Sequence, residues 1–183
     1  MYEKSRYSKT LSINAIPSFS KLLSNNFVSN KTIIFSLQRK NRNYQGIAII
    51  KKPDGKFLRT KNDSIFYVPQ LARAISNLPG YLTNGNTPQG IFSIQGIDTS
   101  KNVFIGPSPN IQLLLPFESD LNTFFHNYKT GEWNLKEYKS LLPDEWLYYL
   151  PIYEAYYAGK AGRNEIIAHG TTVDPTFYTG KPY

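Results

Sequence analysis

The sequence predicts a mainly β domain of the α+β class, built as a twisted mixed sheet or β-sandwich. We expect one helix at residues 69–78 and a helical insertion near residues 117–162. Two observations carry this prediction. Short β-branched and apolar runs, bounded by turn residues, recur along the chain. The 183 residues are 40% hydrophobic and 19% charged, which is typical of a globular domain with one core.

Seven short runs predict the strands, because each is apolar or β-branched and is bounded by turn residues. They are Thr32–Leu37, Gly46–Ile50, Lys56–Arg59, Ile91–Ile97, Val103–Ile105, Ile111–Leu115 and Glu165–Ala168. Between the second and third runs lies Pro53-Asp54-Gly55. Proline pre-sets φ and glycine accepts a positive φ, so this tripeptide predicts a hairpin turn.

Helical spacing of apolar residues predicts the helix at 69–78. Its apolar positions are Val68, Leu71, Ala72, Ile75 and Leu78. Pro69 suits the first turn, and Pro79-Gly80 ends the pattern. Residues 1–30 are rich in Ser, Asn and Lys, which predicts a loosely ordered segment with one short helix after Pro17. Residues 31–183 are then the folded domain.

Capping residues predict a helical insertion between residues 117 and 162, a tyrosine-rich stretch that holds both tryptophans. Asp120 and Asn134 are suitable N-caps for two helices. Pro143 and Pro151 can each begin another short helix.

Composition excludes several functional classes. The chain has no cysteine, so disulfides, thiolate metal sites and a thiol nucleophile from these residues are excluded. No apolar run approaches the length of a membrane span, and no secretory signal is present at the start of the sequence. We expect no membrane span, no metal and no cofactor; the sequence leaves the oligomeric state open.

The net charge of +8 is concentrated in residues 1–61. Basic residues there, including Arg39, Lys40, Arg42 and Lys51, could attract an anionic polymer. Aromatic residues for base stacking are sparse among them, so we expect no nucleic-acid partner. The alternative is an ordinary solvated surface.

Two motifs stand out. Thr87-Pro88-Gln89-Gly90-Ile91-Phe92 is a turn that leads directly into a predicted strand. Ile166-Ile167-Ala168-His169-Gly170-Thr171 places a histidine at the exit of an apolar strand. A histidine held there suits a general base, because its ordinary pKa of about 6.5 lies near neutral pH. The glycine beside it permits close approach of a substrate. Taken singly, the first motif is better explained as an ordinary turn and the second as a structural histidine.

Together the two motifs resemble the L,D-transpeptidase catalytic domain family. The first resembles its Thr-Pro-x-Gly-x-Phe/Tyr signature at Thr87, Pro88, Gly90 and Phe92, and the second resembles its Ile-x-His-Gly-Ser/Thr strand end. The resemblance covers roughly Gly46 to the end of the chain and implies the fold of that family. It also implies a cell-envelope protein whose partners are peptidoglycan stem peptides.

The resemblance implies a cysteine–histidine mechanism. A thiolate attacks the acyl carbonyl of a stem tetrapeptide, D-alanine leaves, and an amine of a second stem resolves the acyl-enzyme. His169 would be the catalytic base, Gly170 and Thr171 would shape the substrate cleft, and Thr87, Pro88, Gly90 and Phe92 would be structural.

The sequence departs from the family pattern at the nucleophile. The family's cysteine follows the histidine by a dozen or two residues, whereas none of the fourteen residues after His169 is cysteine. We interpret the domain as incomplete at its C-terminus and expect these 183 residues alone to be inactive. The competing hypothesis is a non-catalytic module that binds the envelope or peptidoglycan.

Other chemistries have weaker signals. Ser-His-Asp catalysis lacks a Gly-x-Ser-x-Gly turn, and zinc hydrolysis would need His126 together with His169 and carboxylates. We expect His126 to be a packing residue. Tyrosines of the helical insertion could stack on sugars, although an interface with the sheet explains them equally well. These tyrosines are Tyr148, Tyr149, Tyr153, Tyr156 and Tyr157.

Overall fold

The computed structural model describes residues 16–24, 27–74, 76–101 and 107–170. These residues form a mainly β arrangement of two small sheets with a few short helices. The strands are β1 (Ile33–Leu37), β2 (Gly46–Lys51), β3 (Tyr67–Gln70), β4 (Ser93–Thr99), β5 (Pro109–Leu114) and β6 (Ile166–His169). The α-helices are α1 (Ser20–Leu23), α2 (Leu121–Phe125), α3 (Leu135–Lys139) and α4 (Glu154–Lys160). Two 3₁₀ helices lie at Asp144–Trp146 and Leu150–Tyr153.

Within this described part, the strands form two three-stranded sheets, ordered β1-β2-β3 and β4-β5-β6. Every pairing is antiparallel, so the prediction of a mixed sheet is wrong. Neighbouring strands therefore run in opposite directions, and turns, loops or the helical insertion connect them. The predicted strand Val103–Ile105 lies outside the described residues.

The first sheet contains the predicted hairpin turn. Gly55 has a φ of +80°, and its N–H donates to Lys52 O at 2.9 Å. The N–H of Lys52 donates to Lys56 O, also at 2.9 Å, which closes the turn. The predicted strand at Lys56–Arg59 forms only isolated bridges, from Phe57 to Lys51 and from Arg59 to Ile65.

The helix predicted at residues 69–78 is wrong. Pro69 lies in edge strand β3, opposite Ile47 of β2. Backbone groups that the helix would need are also bonded elsewhere. Ala72 O accepts from Thr87 N at 3.2 Å, and Ala74 N donates to Asn86 Oδ1 at 2.9 Å. Long-range hydrogen bonds therefore replace the local helical ladder despite the helical spacing of apolar residues.

The helical insertion is confirmed over the predicted region, with the predicted caps. Asp120 Oδ1 accepts from Thr123 N at the start of α2, and Asn134 Oδ1 accepts from Lys136 N and Glu137 N at the start of α3. These side chains satisfy N–H groups that have no partner within the helix. Pro143 and Pro151 begin the two 3₁₀ helices, as an N-cap and a first-turn residue respectively.

The main hydrophobic core belongs to the helical insertion and the second sheet. One buried cluster is aromatic and includes Tyr138, Trp146, Tyr153 and Tyr156. A second consists of Leu115, Ala155, Ala158 and Ile166, and joins α4 to the second sheet. Packing against the insertion thus fixes the position of β6.

The segment before β1 contacts both the helical insertion and the first sheet. The Phe19 ring lies 5.6 Å from that of Trp146, and Trp146 Nε1 donates to Ser18 O at 3.3 Å. Lys51 is buried, and its Nζ donates to Ser24 O at 2.9 Å and to Phe27 O at 2.6 Å. Burial lowers the pKa of Lys51. The predicted short helix forms as α1, whereas residues 1–15 lie outside the described part.

None of the helices in the described ranges is long and apolar enough to cross a membrane.

Candidate functional site

The two sides of the second sheet differ in polarity. Directly opposed residues of antiparallel strands point to the same side, so the register assigns each residue to a side. One side carries Ser93, Gly96, Asp98, Asn110, Gln112, Leu114, Ile167 and His169. The other carries Ile94, Ile97, Ile111, Leu113, Ile166 and Ala168. We call the first side the polar face.

His169, the predicted catalytic base, is the last residue of β6 and lies on the polar face opposite Asn110. Its side chain is exposed, and its Nδ1 lies 2.9 Å from Gly170 O. A carbonyl oxygen can only accept, so Nδ1 carries the ring proton. Nε2 then holds a lone pair, and it makes no hydrogen bond to any described residue. A ring fixed in this tautomer can accept a proton at Nε2.

The predicted cleft residues have different outcomes. Gly170 is exposed, and a Cβ at this position would meet no atom of the described residues within 4 Å. The described part of the chain therefore leaves space at Gly170. Thr171 lies outside the described residues.

The predicted turn motif leads into β4, the strand on the opposite side of β5 from His169. Gln89 N donates to Glu154 Oε2 at 2.9 Å, and Ala155 N donates to Gln89 O at 2.9 Å. Gly90 has a φ of +152°, and a Cβ there would lie 2.4 Å from Ala155 Cβ. The turn is thus seated against the start of α4. Of the other motif residues, Thr87 and Phe92 are half-buried and Pro88 is buried.

Two arginines that the motif analysis overlooked hold the loop before this turn. Arg163 is buried, and its guanidinium donates to three carbonyls: Gly80, Gly85 and Asn86. Arg42 Nη1 donates to Ala72 O at 3.1 Å and to Thr87 O at 3.2 Å. Burial lowers the pKa of Arg163. No sequence signal identifies these contacts, because the partners are backbone carbonyls distant in the chain.

The basic surface expected in the first third is smaller than the sequence suggested. Lys51 is buried and Arg42 is directed to carbonyls, so neither belongs to an open cationic patch. Lys52 pairs with Asp54 at 3.1 Å, and Arg59 pairs with Asp63 at 3.6 Å. Partial neutralisation weakens the attraction for a polyanion.

His126 was expected to pack, and the structure corrects this: its side chain is exposed. It occupies the C-cap of α2 in the left-handed conformation, with φ 52° and ψ 44°. Its Nε2 lies 3.0 Å from Ser93 Oγ on the polar face. Among the described residues, no three His, Asp or Glu side chains gather to hold a metal.

The insertion's tyrosines divide between two environments. Tyr149, Tyr153 and Tyr156 are buried, as the interface alternative predicted, whereas Tyr148 and Tyr157 are exposed. Burial raises the pKa of Tyr153 and of Tyr156. The buried three are therefore unavailable for stacking on a sugar.

Comparison of the chain with protein-family models, curated proteins and solved structures finds no match. The resemblance to L,D-transpeptidases therefore depends on the two sequence motifs alone.

Proposed function

We propose that this chain is an L,D-transpeptidase-like acyltransferase domain that acts on peptidoglycan stem peptides in the cell envelope, with His169 as the general base. The observation that carries the proposal is the 2.9 Å contact between His169 Nδ1 and Gly170 O. This contact leaves Nε2 as a proton acceptor on an exposed side chain.

The strand end at His169 supports the same function. The register places the Thr87–Phe92 turn, which enters β4 opposite Leu114, and His169, which lies opposite Asn110, toward opposite ends of β5. Tyr138 and Glu154 fix the turn, so its role is structural and separate from His169. A base on a strand end is held more precisely than one on a free loop.

In the proposed reaction, His169 Nε2 takes the proton of a cysteine thiol. The thiolate attacks the carbonyl of the stem tetrapeptide, a C–S bond forms and the C–N bond to D-alanine breaks. The proton returns to the leaving amine. An amine of a second stem then attacks the thioester and gives up a proton to His169. A C–N bond forms, the C–S bond breaks, and the departing thiolate takes that proton from His169 to become a thiol again. The 183 residues contain no cysteine, so the thiol must come from outside them.

The experiment measures D-alanine release from a synthetic stem tetrapeptide by the 183-residue chain and by any longer product of its gene that supplies a cysteine. The proposal predicts release by such a product, and at least a hundredfold loss when it carries His169→Ala. It predicts no release by the 183 residues alone. Release by these residues alone would refute the cysteine mechanism.

A peptidoglycan-binding module without catalysis is the second candidate, and the absence of cysteine favours it. In nuclear magnetic resonance titrations, the tetrapeptide should shift the signals of His169 and Gly170 under either candidate. Turnover by a longer product that supplies a cysteine supports the enzyme, and binding without turnover supports the module.

A further inference from the structure

A second polar site surrounds His126. A pocket of about 310 Å³ is lined by Gln95, Asn122, Thr123, His126, Asn127 and Tyr128. None of these six residues is an aspartate, glutamate, lysine or arginine. Five of the six belong to α2 or to the residues directly after it, and Gln95 comes from β4. The volume lies near the lower end of the range for small-molecule sites.

The pocket's imidazole is held by a chain of two hydrogen bonds. Gln95 Nε2 donates to Ser93 Oγ at 2.8 Å, and Ser93 Oγ lies 3.0 Å from His126 Nε2. Ser93 is buried, with 5% of its surface exposed. Since Oγ accepts from Gln95, its own proton is free to go to His126 Nε2. The ring then carries its proton on Nδ1, and Gln95 keeps Oε1 as an acceptor.

Other lining groups keep hydrogen-bonding capacity for a ligand. Asn127 Oδ1 accepts from Lys129 N at 3.0 Å, which leaves its Nδ2 as a donor. The side-chain amide of Asn122 bonds to no described residue and offers both a donor and an acceptor. Tyr128 is fully exposed, at 101% of its reference surface. Its ring is thus open for stacking.

Two cations near this site bond to groups outside its lining. Lys129 Nζ forms an ion pair with Glu137 and lies 4.1 Å from the centre of the Phe125 ring. Lys31 Nζ donates to the backbone oxygen of Phe125, the residue before His126.

From these features we propose that the His126 pocket binds a neutral saccharide chain. Sugar hydroxyls each donate and accept, and so match the side-chain amides, which offer both functions, and the Nδ1 atom of His126. The apolar face of a pyranose ring matches the exposed Tyr128 ring. A pocket without charged side chains offers no counter-ion to a phosphate, sulfate or carboxylate. Its polar lining is equally unsuited to an apolar ligand.

The site is separate from His169 and does not depend on the acyl transfer proposed there. Ser93 is opposite Leu114 and His169 is opposite Asn110, both on the polar face. The offset along β5 is four residues, or about 13 Å, and the two strands are separated by two spacings, or about 10 Å.

The test is a titration of the 183-residue chain with two neutral probes, chitotetraose and cellotetraose, followed by calorimetry and by nuclear magnetic resonance. We expect at least one probe to bind and to shift the signals of Asn122, His126 and Tyr128. A preference for chitotetraose assigns the ligand to N-acetylated sugars, and a preference for cellotetraose assigns it to unmodified hexoses.

Matched tyrosine variants locate the binding. Tyr128→Ala is expected to weaken the affinity at least about fivefold, through loss of the stacking surface. Tyr148→Ala removes another exposed tyrosine and should leave the affinity unchanged. His169→Ala should also leave it unchanged, so failure of this proposal is distinct from failure of the acyltransferase proposal.

Three results would overturn the proposal. The first is no binding of either probe, and the second is equal affinity of the Tyr128→Ala variant and the unmodified chain. The third is tighter binding of an anionic probe, tetragalacturonate, than of both neutral probes, with an affinity that falls as salt is added.

Discussion

The phenol oxygen of Tyr138 accepts a hydrogen bond from the backbone N–H of Ile91 at 2.9 Å, while donating to Ile152 O at 2.8 Å. Tyr138 is fully buried in α3. It thus joins the residue that follows the Thr87–Gly90 turn to the helical insertion, through two hydrogen bonds made by one atom. The turn, the start of β4 and the insertion form a single packed unit around this side chain.

Removing that oxygen should destabilise the protein. Tyr138→Phe leaves the Ile91 N–H and the Ile152 carbonyl without their partner, and we expect a loss of about 2–4 kcal/mol in unfolding free energy. Urea denaturation followed by tryptophan fluorescence measures it. Tyr148→Phe, at an exposed tyrosine, is the control and should change stability by less than about 0.5 kcal/mol. Equal stability of the two variants would contradict the role of Tyr138.

Tyr138 should also contribute to the pH dependence of stability at alkaline pH. Burial raises the pKa of Tyr138 above the value of about 10 that tyrosine has in an unfolded chain. Its stabilising contribution is therefore complete below about pH 10 and is lost as the pH rises further. Lys51 acts below this window, because its pKa is lowered from about 10.5. Tyr153 and Tyr156, whose pKa values burial also raises, act within the window and are present in both proteins that the measurement compares.

The measurement is the unfolding free energy as a function of pH above about 10.5. The unfolding free energy of the unmodified chain decreases with pH in this range. In Tyr138→Phe that decrease should be shallower by up to about 1.4 kcal/mol per pH unit, because one proton fewer is released on unfolding. An unchanged slope would show that other groups control alkaline unfolding.

Arg163 should be required for the loop that precedes the turn. Its guanidinium satisfies three carbonyls, so Arg163→Met is expected to cost about 2–4 kcal/mol. Hydrogen exchange at Asn84–Asn86 should accelerate in the same variant. Arg73→Met is the matched control, because Arg73 is exposed and its guanidinium donates one hydrogen bond to a described residue, to Asn77 Oδ1. Equally slow exchange at these residues in Arg163→Met would contradict a role for Arg163 in holding this loop.

Parts of this architecture could be predicted from sequence, because their causes are local. Asp120, Asn134 and Gly55 act on neighbouring backbone groups, and each does what its residue type predicts. The 69–78 helix failed for the opposite reason. Thr87, Asn86 and β2 supply the hydrogen bonds of that segment, and they are distant in sequence.

The candidate site shows the same division. The strand end at His169 follows from an apolar run and was predicted, whereas the bond from Nδ1 to Gly170 O depends on the ring's orientation. The Ser93–His126 pair was missed because it joins β4 to the C-terminal end of α2, which lies 33 residues later in the chain. The bulge at Gln95, between Ile94 and Gly96, was missed because no residue pattern predicts it.

Gly159 should tolerate no side chain. An added Cβ would lie 1.8 Å from Pro116 O, where α4 meets the end of the second sheet. We expect Gly159→Ala to cost about 2–3 kcal/mol through overpacking. Gly96→Ala is the control, since a Cβ there meets nothing within 4 Å, and it should raise stability by up to about 1 kcal/mol. Thermal unfolding of the two variants makes the comparison; a Gly159→Ala variant as stable as the unmodified chain would contradict the close approach.

The most direct measurement on the proposed base is the tautomer of His169, read from long-range ¹⁵N–¹H correlations of its ring at a pH where the imidazole is neutral. The geometry predicts a protonated Nδ1 and an unprotonated Nε2, with Nε2 shifting when a stem tetrapeptide is added. A proton found on Nε2 would place the lone pair on Nδ1 instead, and this would contradict the proposed role of Nε2 as the proton acceptor.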